Sequence, residues 1–185
     1  MALWGNTDAD EAKPKWLTAA QKEDVYATSK GWVQLNGKGL EEVICSIGGL
    51  ATAIAGADIN KSAFVGAAFD VSAGGNIDVR LTFNEKVTVT GSPTITITNS
   101  QAGGGSAATK TATYQSGSGT NKLVFRCTIG AAGSTVSADD VLSIASQNIA
   151  LAGGTIKDTQ LLANGTAVNS GVAVPAGTAT NTAVA

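Results

Sequence analysis

Apolar and polar positions alternate with a period of two through much of the chain beyond residue 60. Ile77, Val79, Leu81 and Phe83 are separated by Asp78, Arg80 and Thr82; Val87 and Val89 by Thr88; Ile95 and Ile97 lie among Thr94, Thr96 and Thr98. Successive side chains of a strand point to opposite faces, so each run has one apolar and one hydroxylated face. Ala112 with Tyr114, then Leu123, Phe125, Cys127 and Ile129, then Leu142 with Ile144, and Ile149 with Leu151 continue the pattern. Turn clusters such as Ser116-Gly117-Ser118-Gly119 and Gly153-Gly154 separate the runs, and Asn99 to Gly105 reads as a long, flexible turn. About seven strands in roughly 120 residues predict two antiparallel sheets packed face to face, a β-sandwich.

The first 60 residues follow another pattern. Residues 1–17 hold neither a strand nor a helix period, and their large apolar side chains are Leu3, Trp4, Trp16 and Leu17. Such a segment cannot build a core alone. It predicts an extended arm whose four apolar side chains seat on a partner, where a buried aromatic ring contributes more than most contacts. Thr18-Ala19-Ala20-Gln21 has capping-box spacing and starts a short helix, expected to end near Gly31. Trp32 to Leu35, Asn36-Gly37-Lys38-Gly39 and Leu40 to Ile47 read as strand, turn and strand, with Asn-Gly relieving positive-φ strain and Trp32 packed in a core. Val43 to Ala57 is apolar but broken by Ser46, Gly48, Gly49, Thr52 and Gly56. It is too short to span a bilayer and predicts buried strand and turn, with no membrane insertion. The change of character falls at 58–62. Three parts follow: an extended arm over 1–17, a helix and β-hairpin attachment region over 18–60, and a sandwich with a C-terminal tail over 61–185.

Composition narrows the chemistry. Twelve Lys and Arg against fourteen Asp and Glu give a net charge of −2, and the charged fraction of 14% is well below the roughly 25% of ordinary soluble domains. Eight of the fourteen acids precede residue 60. Scattered cations offer no basic stripe, so nucleic acid is not an expected partner. The chain has no histidine, which excludes Ser–His and Cys–His nucleophiles and histidine zinc sites. No catalysis and no cofactor are expected. Gly31 to Lys38 has the wrong spacing for a phosphate loop, with Gly39 where Ser or Thr belongs. Asp70, Asp78, Asp139, Asp140 and Asp158 could offer oxygen ligands to calcium, but read better as solvated loop and cap acids. Cys45 and Cys127 read as small core residues rather than a disulfide. The opening residues lack a basic and then apolar signal segment, so the sequons Asn60-Lys61-Ser62 and Asn164-Gly165-Thr166 are not expected to carry glycan.

Three motifs carry a resemblance. Gly75-Asn76-Ile77-Asp78-Val79-Arg80-Leu81-Thr82-Phe83-Asn84-Glu85-Lys86-Val87-Thr88-Val89, then Ala112-Thr113-Tyr114-Gln115-Ser116-Gly117-Ser118-Gly119-Thr120, then Gly153-Gly154-Thr155-Ile156-Lys157-Asp158 resemble, in order, the immunoglobulin-like repeats of large bacterial surface and adhesin-type proteins. This resemblance implies an all-β, immunoglobulin-like β-sandwich, preceded here by the extended N-terminal arm, short helix and β-hairpin, with a display or adhesion role. Met1-Ala2-Leu3-Trp4-Gly5-Asn6-Thr7-Asp8, Lys13-Pro14-Lys15-Trp16-Leu17 and Val25-Tyr26-Ala27-Thr28 resemble short virion proteins of tailed bacteriophages. Together the two imply a capsid decoration or cement protein made in the host cytoplasm and carried on the capsid exterior. Its expected partners are the major capsid protein and copies of itself. A host-surface glycan bound by the sandwich loops, or a place in the tail or neck, is the alternative.

Overall fold

The computed structural model describes residues 13–54, 56–66, 70–106, 108–130 and 136–159, with the backbone of three short strands beyond them. Residues 1–12, and with them Leu3 and Trp4, lie outside the described residues.

Helix α1, Ala19–Asp24, begins on the predicted capping box: the Gln21 N–H donates to Thr18 Oγ1 at 3.3 Å, and the Thr18 N–H donates to Gln21 Oε1 at 3.0 Å. It stops at Asp24, well short of Gly31. Val25 is already extended, and the run from Val25 through Tyr26 favours a strand, β1 (Tyr26–Thr28), paired antiparallel with β2 (Gly31–Leu35). Gly31 therefore opens a strand instead of closing a helix. Its φ is +123°, and a Cβ there would lie 2.1 Å from the Cys45 carbonyl oxygen, so only glycine fits.

Strand β2 forms the expected hairpin with β3 (Glu41–Ser46). The turn is closed differently from the Asn-Gly expectation. Asn36 Oδ1 accepts from the Lys38 and Leu40 N–H groups, both at 3.0 Å, and the left-handed residue is Gly39 rather than Gly37. The following apolar run is a turn and a single helical turn, α2 (Leu50–Ala53), and Val43 on β3 is exposed, so the expectation of buried strand and turn is only partly met.

The rest is β-structure: β4 (Ile59–Val65), β5 (Gly75–Thr90), β6 (Thr94–Asn99), β7 (Thr109–Ser116), β8 (Thr120–Ile129), β9 (Val141–Ser143), β10 (Gln147–Asn148) and β11 (Thr155–Asp158), then β12 (Ala167–Val168), β13 (Ala173–Val174) and β14 (Thr182–Ala183). The fold is all-β and sandwich-like. Among the described residues twelve strands join in one large mixed sheet ordered β14-β9-β6-β7-β8-β5-β1-β2-β3, with β4 and β11 also on β5 and β12 on β11, while β10 and β13 pair as a separate two-stranded sheet.

The two apolar runs at 77–83 and 87–89 are one 16-residue strand, β5, which changes partners along its length. Residues 75–82 pair with β8 and 78–83 with β4, whereas Val87 to Thr90 pair with β11. A register shift against β8 between Thr82 and Val87 marks the change.

Burial follows the predicted alternation. Ile77, Val79, Leu81, Phe83, Val87, Ile95, Ile97, Leu123, Phe125, Cys127 and Ile129 share one core with Leu142, Ile149 and Ile156. On the opposite face β6 and β7 set threonine against threonine at three rungs, Thr94 with Thr113, Thr96 with Thr111 and Thr98 with Thr109, in line with a wet strand surface. A second core gathers Leu17, Val25, Ala27, Trp32, Leu50, Ala51 and Ile54, so Trp32 is a core residue as its strand pattern predicts. Cys127 lies in the first core and Cys45 against the second, both as free thiols; burial pushes the Cys127 thiol up.

Candidate functional site

Exposed apolar side chains are concentrated on the first unit. Among the described residues the large exposed ones are Trp16 at 65%, Leu40 at 62%, Val43 at 45%, Leu35 at 37% and Val65 at 46%. Val65 alone belongs to the sandwich; Leu35, Leu40 and Val43 flank the β2–β3 turn. Strand β3 ends the sheet, yet its edge is poorly suited to adding another strand. A bulge between Trp32 and Val33 breaks its register, and Glu41 and Glu42 put charge along it, two devices that protect sheet edges. The accessible feature is the apolar face near the turn.

The four predicted arm contacts therefore separate. Leu3 and Trp4 are outside the described residues. Trp16 projects from the turn closed by the Leu17 N–H donating to the Pro14 carbonyl at 3.2 Å. Leu17 points the other way, into the second core, and is not available to a partner. Lys13 is also buried: its ammonium donates to the Lys22 carbonyl at 2.8 Å and lies 5.9 Å from the Trp32 ring centroid. Lys13 and Leu17 are thus packed in or against the second core, whereas Trp16 is not.

This unit docks on the sandwich through a charged seam. Glu23 meets Lys61 at 2.9 Å, Asp24 meets Lys122 at 3.6 Å, and Glu41 meets Lys86. All three acids come from the first unit and all three lysines from the sandwich. The acid excess before residue 60, in sequence only a matter of composition, is here matched to a surface. The Tyr26 hydroxyl donates to Glu41 at 3.0 Å, and the Lys86 ammonium sits 5.8 Å from the Tyr26 ring centroid. Lys86, more than any other neighbour, holds the Glu41 carboxyl below its usual range; burial first, and Glu41 second, push the Tyr26 phenol up.

Inside the seam lies Glu85. It bridges β5 to β1 through the parallel pairing of Glu85 with Ala27, and it is fully buried. Neither carboxyl oxygen meets a donor among the described residues. Burial raises its pKa to about 10, with further contributions from Asp158 and then Asp58. A sequence reading that stops at charge misses this residue, but its phase betrays it: Glu85 falls in step with Phe83 and Val87 on the inward side of β5. Asp158 follows Ile156 on the inward side of β11 in the same way.

The other acids divide: Asp70 and Asp139 are exposed loop acids as read, whereas Asp78, Asp140 and Asp158 are not. Asp70 is exposed and accepts from the Ser72 N–H at 2.8 Å and the Ser72 hydroxyl at 2.6 Å. Asp78 is not a solvated loop acid; it takes a two-pronged bond from Arg126, both contacts at 2.7 Å. Asp140 and Asp158 are buried rather than solvated. Asp140 accepts from the Gly103 N–H at 2.8 Å, the Ser137 N–H at 2.9 Å and Asn99 Nδ2 at 2.8 Å. That carboxylate pins the loop after β6, contrary to the flexible turn its glycines suggest. Among the described residues no three Asp, Glu, Cys or His side chains form a group able to hold a metal ion, and no helix is long and apolar enough to cross a membrane.

No family model matches the chain, and neither a curated protein nor a solved structure is found to be similar to it.

Proposed function

We propose that this chain is a non-enzymatic virion structural protein, a capsid decoration or cement protein that binds the major capsid protein through its N-terminal region and displays an immunoglobulin-like sandwich. The observation that carries the attachment reading is the one-sided distribution of exposed apolar side chains: Trp16, Leu35, Leu40 and Val43 on the first unit against Val65 on the sandwich. Exposed rings and aliphatic groups of this kind mark interaction surfaces. The assignment to a virion rests on the resemblance of the opening residues to phage virion proteins. Weak contacts repeated over many copies would reinforce a shell through multivalency.

The test is binding of the purified chain to particles lacking it, read as copies bound per particle. Trp16→Ala and Leu40→Asp should each lower affinity by about tenfold or more while leaving thermal unfolding unchanged. A truncation should stop at residue 12, because Lys13 and Leu17 belong to the second core. Full occupancy by the double variant would remove the attachment reading, and absence of binding by the intact chain to any capsid would remove the virion reading.

A further inference from the structure

The turn between β2 and β3 holds an asparagine followed by a glycine, and its bonding leaves that pair open to reaction. The main chain closes the turn: the Asn36 N–H donates to the Leu40 carbonyl and the Gly39 N–H to the Asn36 carbonyl, both at 2.9 Å. The Asn36 side chain folds back over the turn, where its Oδ1 accepts from the Lys38 and Leu40 N–H groups, both at 3.0 Å. Gly37 is exposed and takes no part in these bonds. Among the described residues its N–H meets no acceptor, and no atom lies within 4 Å of where a Cβ would stand. An unhindered main-chain nitrogen thus directly follows a side-chain carbonyl whose oxygen is already held by donors.

This arrangement suits attack of the Gly37 nitrogen on Asn36 Cγ. Once the Gly37 amide gives up its proton, a bond forms from its nitrogen to Cγ and negative charge collects on Oδ1. The Lys38 and Leu40 N–H groups already point at that atom, so the fold supplies preorganised donors for the developing charge. The Cγ–Nδ2 bond then breaks, and Nδ2 leaves as ammonia with a proton that replaces the one Gly37 lost. A cyclic imide remains. Water opens it at either carbonyl: cleavage of the new bond leaves an ordinary aspartate at this position, and cleavage of the main-chain bond leaves an isoaspartyl linkage. The net exchange is water for ammonia, with nothing oxidised or reduced. Asn99 and Asn121 are placed otherwise: both are buried, their Nδ2 groups are bonded to Asp140 and to the Phe83 carbonyl, and the residues after them, Ser100 and Lys122, carry a Cβ.

We propose that Asn36-Gly37 is a self-modifying site, at which the folded turn promotes imide closure and passage to isoaspartate and so rebuilds the tip of the hairpin. The isoaspartyl product lengthens the main chain between Leu35 and Leu40, adds a carboxylate, and moves Oδ1 out of the side-chain cap into the main chain. Leu35 and Leu40 lose their set separation. Any partner seated on the tip then meets an altered surface, and the chemistry itself does not depend on which partner that is.

The test is to incubate the full chain at mildly alkaline pH, then unfold it, cut it with trypsin and read the peptides by chromatography and mass spectrometry. Cleavage after Lys30 and Lys38 releases Gly31 to Lys38, in which Asn36 is the lone asparagine; cleavage after Lys110 and Lys122 releases a reference peptide whose lone asparagine is Asn121. Asn36 should convert at least about tenfold faster than Asn121 and give both acid products. The synthetic peptide Gly31 to Lys38, which has the dipeptide without the fold, is incubated alongside. Conversion in the folded chain at or above the peptide's rate supports the site. A folded chain that keeps its amide longer than the peptide overturns it, because the turn then shields the pair. Gly37→Ala checks the route. Gly37 is not left-handed and its surroundings are open, so the variant keeps the turn, while the added Cβ hinders attack and should slow conversion by about tenfold or more. An unchanged rate in Gly37→Ala would exclude attack by the Gly37 nitrogen.

Discussion

Replacing Asp140 by Asn changes one oxygen to an amide without altering size, and the structure gives a definite cost. Both Asp140 oxygens accept: Oδ1 from the Gly103 N–H, Oδ2 from the Ser137 N–H and from Asn99 Nδ2. Whichever way the amide is turned, its NH2 faces at least one buried donor. One charge-assisted bond is lost and two donors are set against each other, together about 2–3 kcal/mol. Asp140→Ala removes all three bonds and leaves two backbone N–H groups without their acceptor, at about 3–5 kcal/mol. At roughly 2–4 °C per kcal/mol for a chain of this size, the Asn variant should unfold at least about 4 °C lower by calorimetry and the Ala variant about twice as far. The pH dependence has a fixed sign. Burial raises the Asp140 carboxyl, but the bonds from Ser137, Asn99, Gly103 and Gly105 outweigh it and hold the carboxyl below its usual value. Its stabilisation is therefore present above about pH 3.9 and lost as pH falls through the lower folded value. A wild-type-like unfolding temperature for Asp140→Asn at pH 7 would refute this account, as would a difference between the two proteins that stays constant from pH 7 down to 2.

Other perturbations test the packing. Gly103→Ala should destabilise the same loop strongly, since its Cβ would lie 1.6 Å from the Ala138 carbonyl oxygen; proteolysis at residues 100–105 should appear in the variant and not in the wild type. Trp32→Ala should cost about 3–5 kcal/mol in denaturant unfolding, because the ring is fully buried at the centre of the second core. Lys61→Ala, by contrast, removes a partly exposed ion pair and should change stability by at most about 1 kcal/mol, an effect that disappears in high salt.

What the sequence makes legible is local or periodic. Thr18 and Gln21 announce a helix start because both capping bonds form within four residues. Ile77 to Phe83 announce a strand because alternation alone decides which side is buried. The end of that helix is not legible, because β1 is only three residues long and is a strand by virtue of pairing with β2 and β5. Strand β4 escapes detection for a related reason: Asn60-Lys61-Ser62 breaks its apolar pattern, and it is held by β5. Leu17 and Trp16 are indistinguishable as sequence, two large apolar neighbours, and only the turn that separates them sends one inward and the other out. Glu85 stands in an inward phase that can be read, but its partner Asp158 is 73 positions further along the chain, beyond any local rule.

The division of charge across the seam also limits what can meet there. Glu23, Asp24 and Glu41 sit on one side, Lys61, Lys86 and Lys122 on the other. Two sandwiches brought together at this surface would set lysine against lysine, and two attachment units would set carboxylate against carboxylate. The seam is thus self-excluding and complementary at once: it rejects its own kind and accepts an acidic attachment unit, whether from the same chain or from a neighbouring copy.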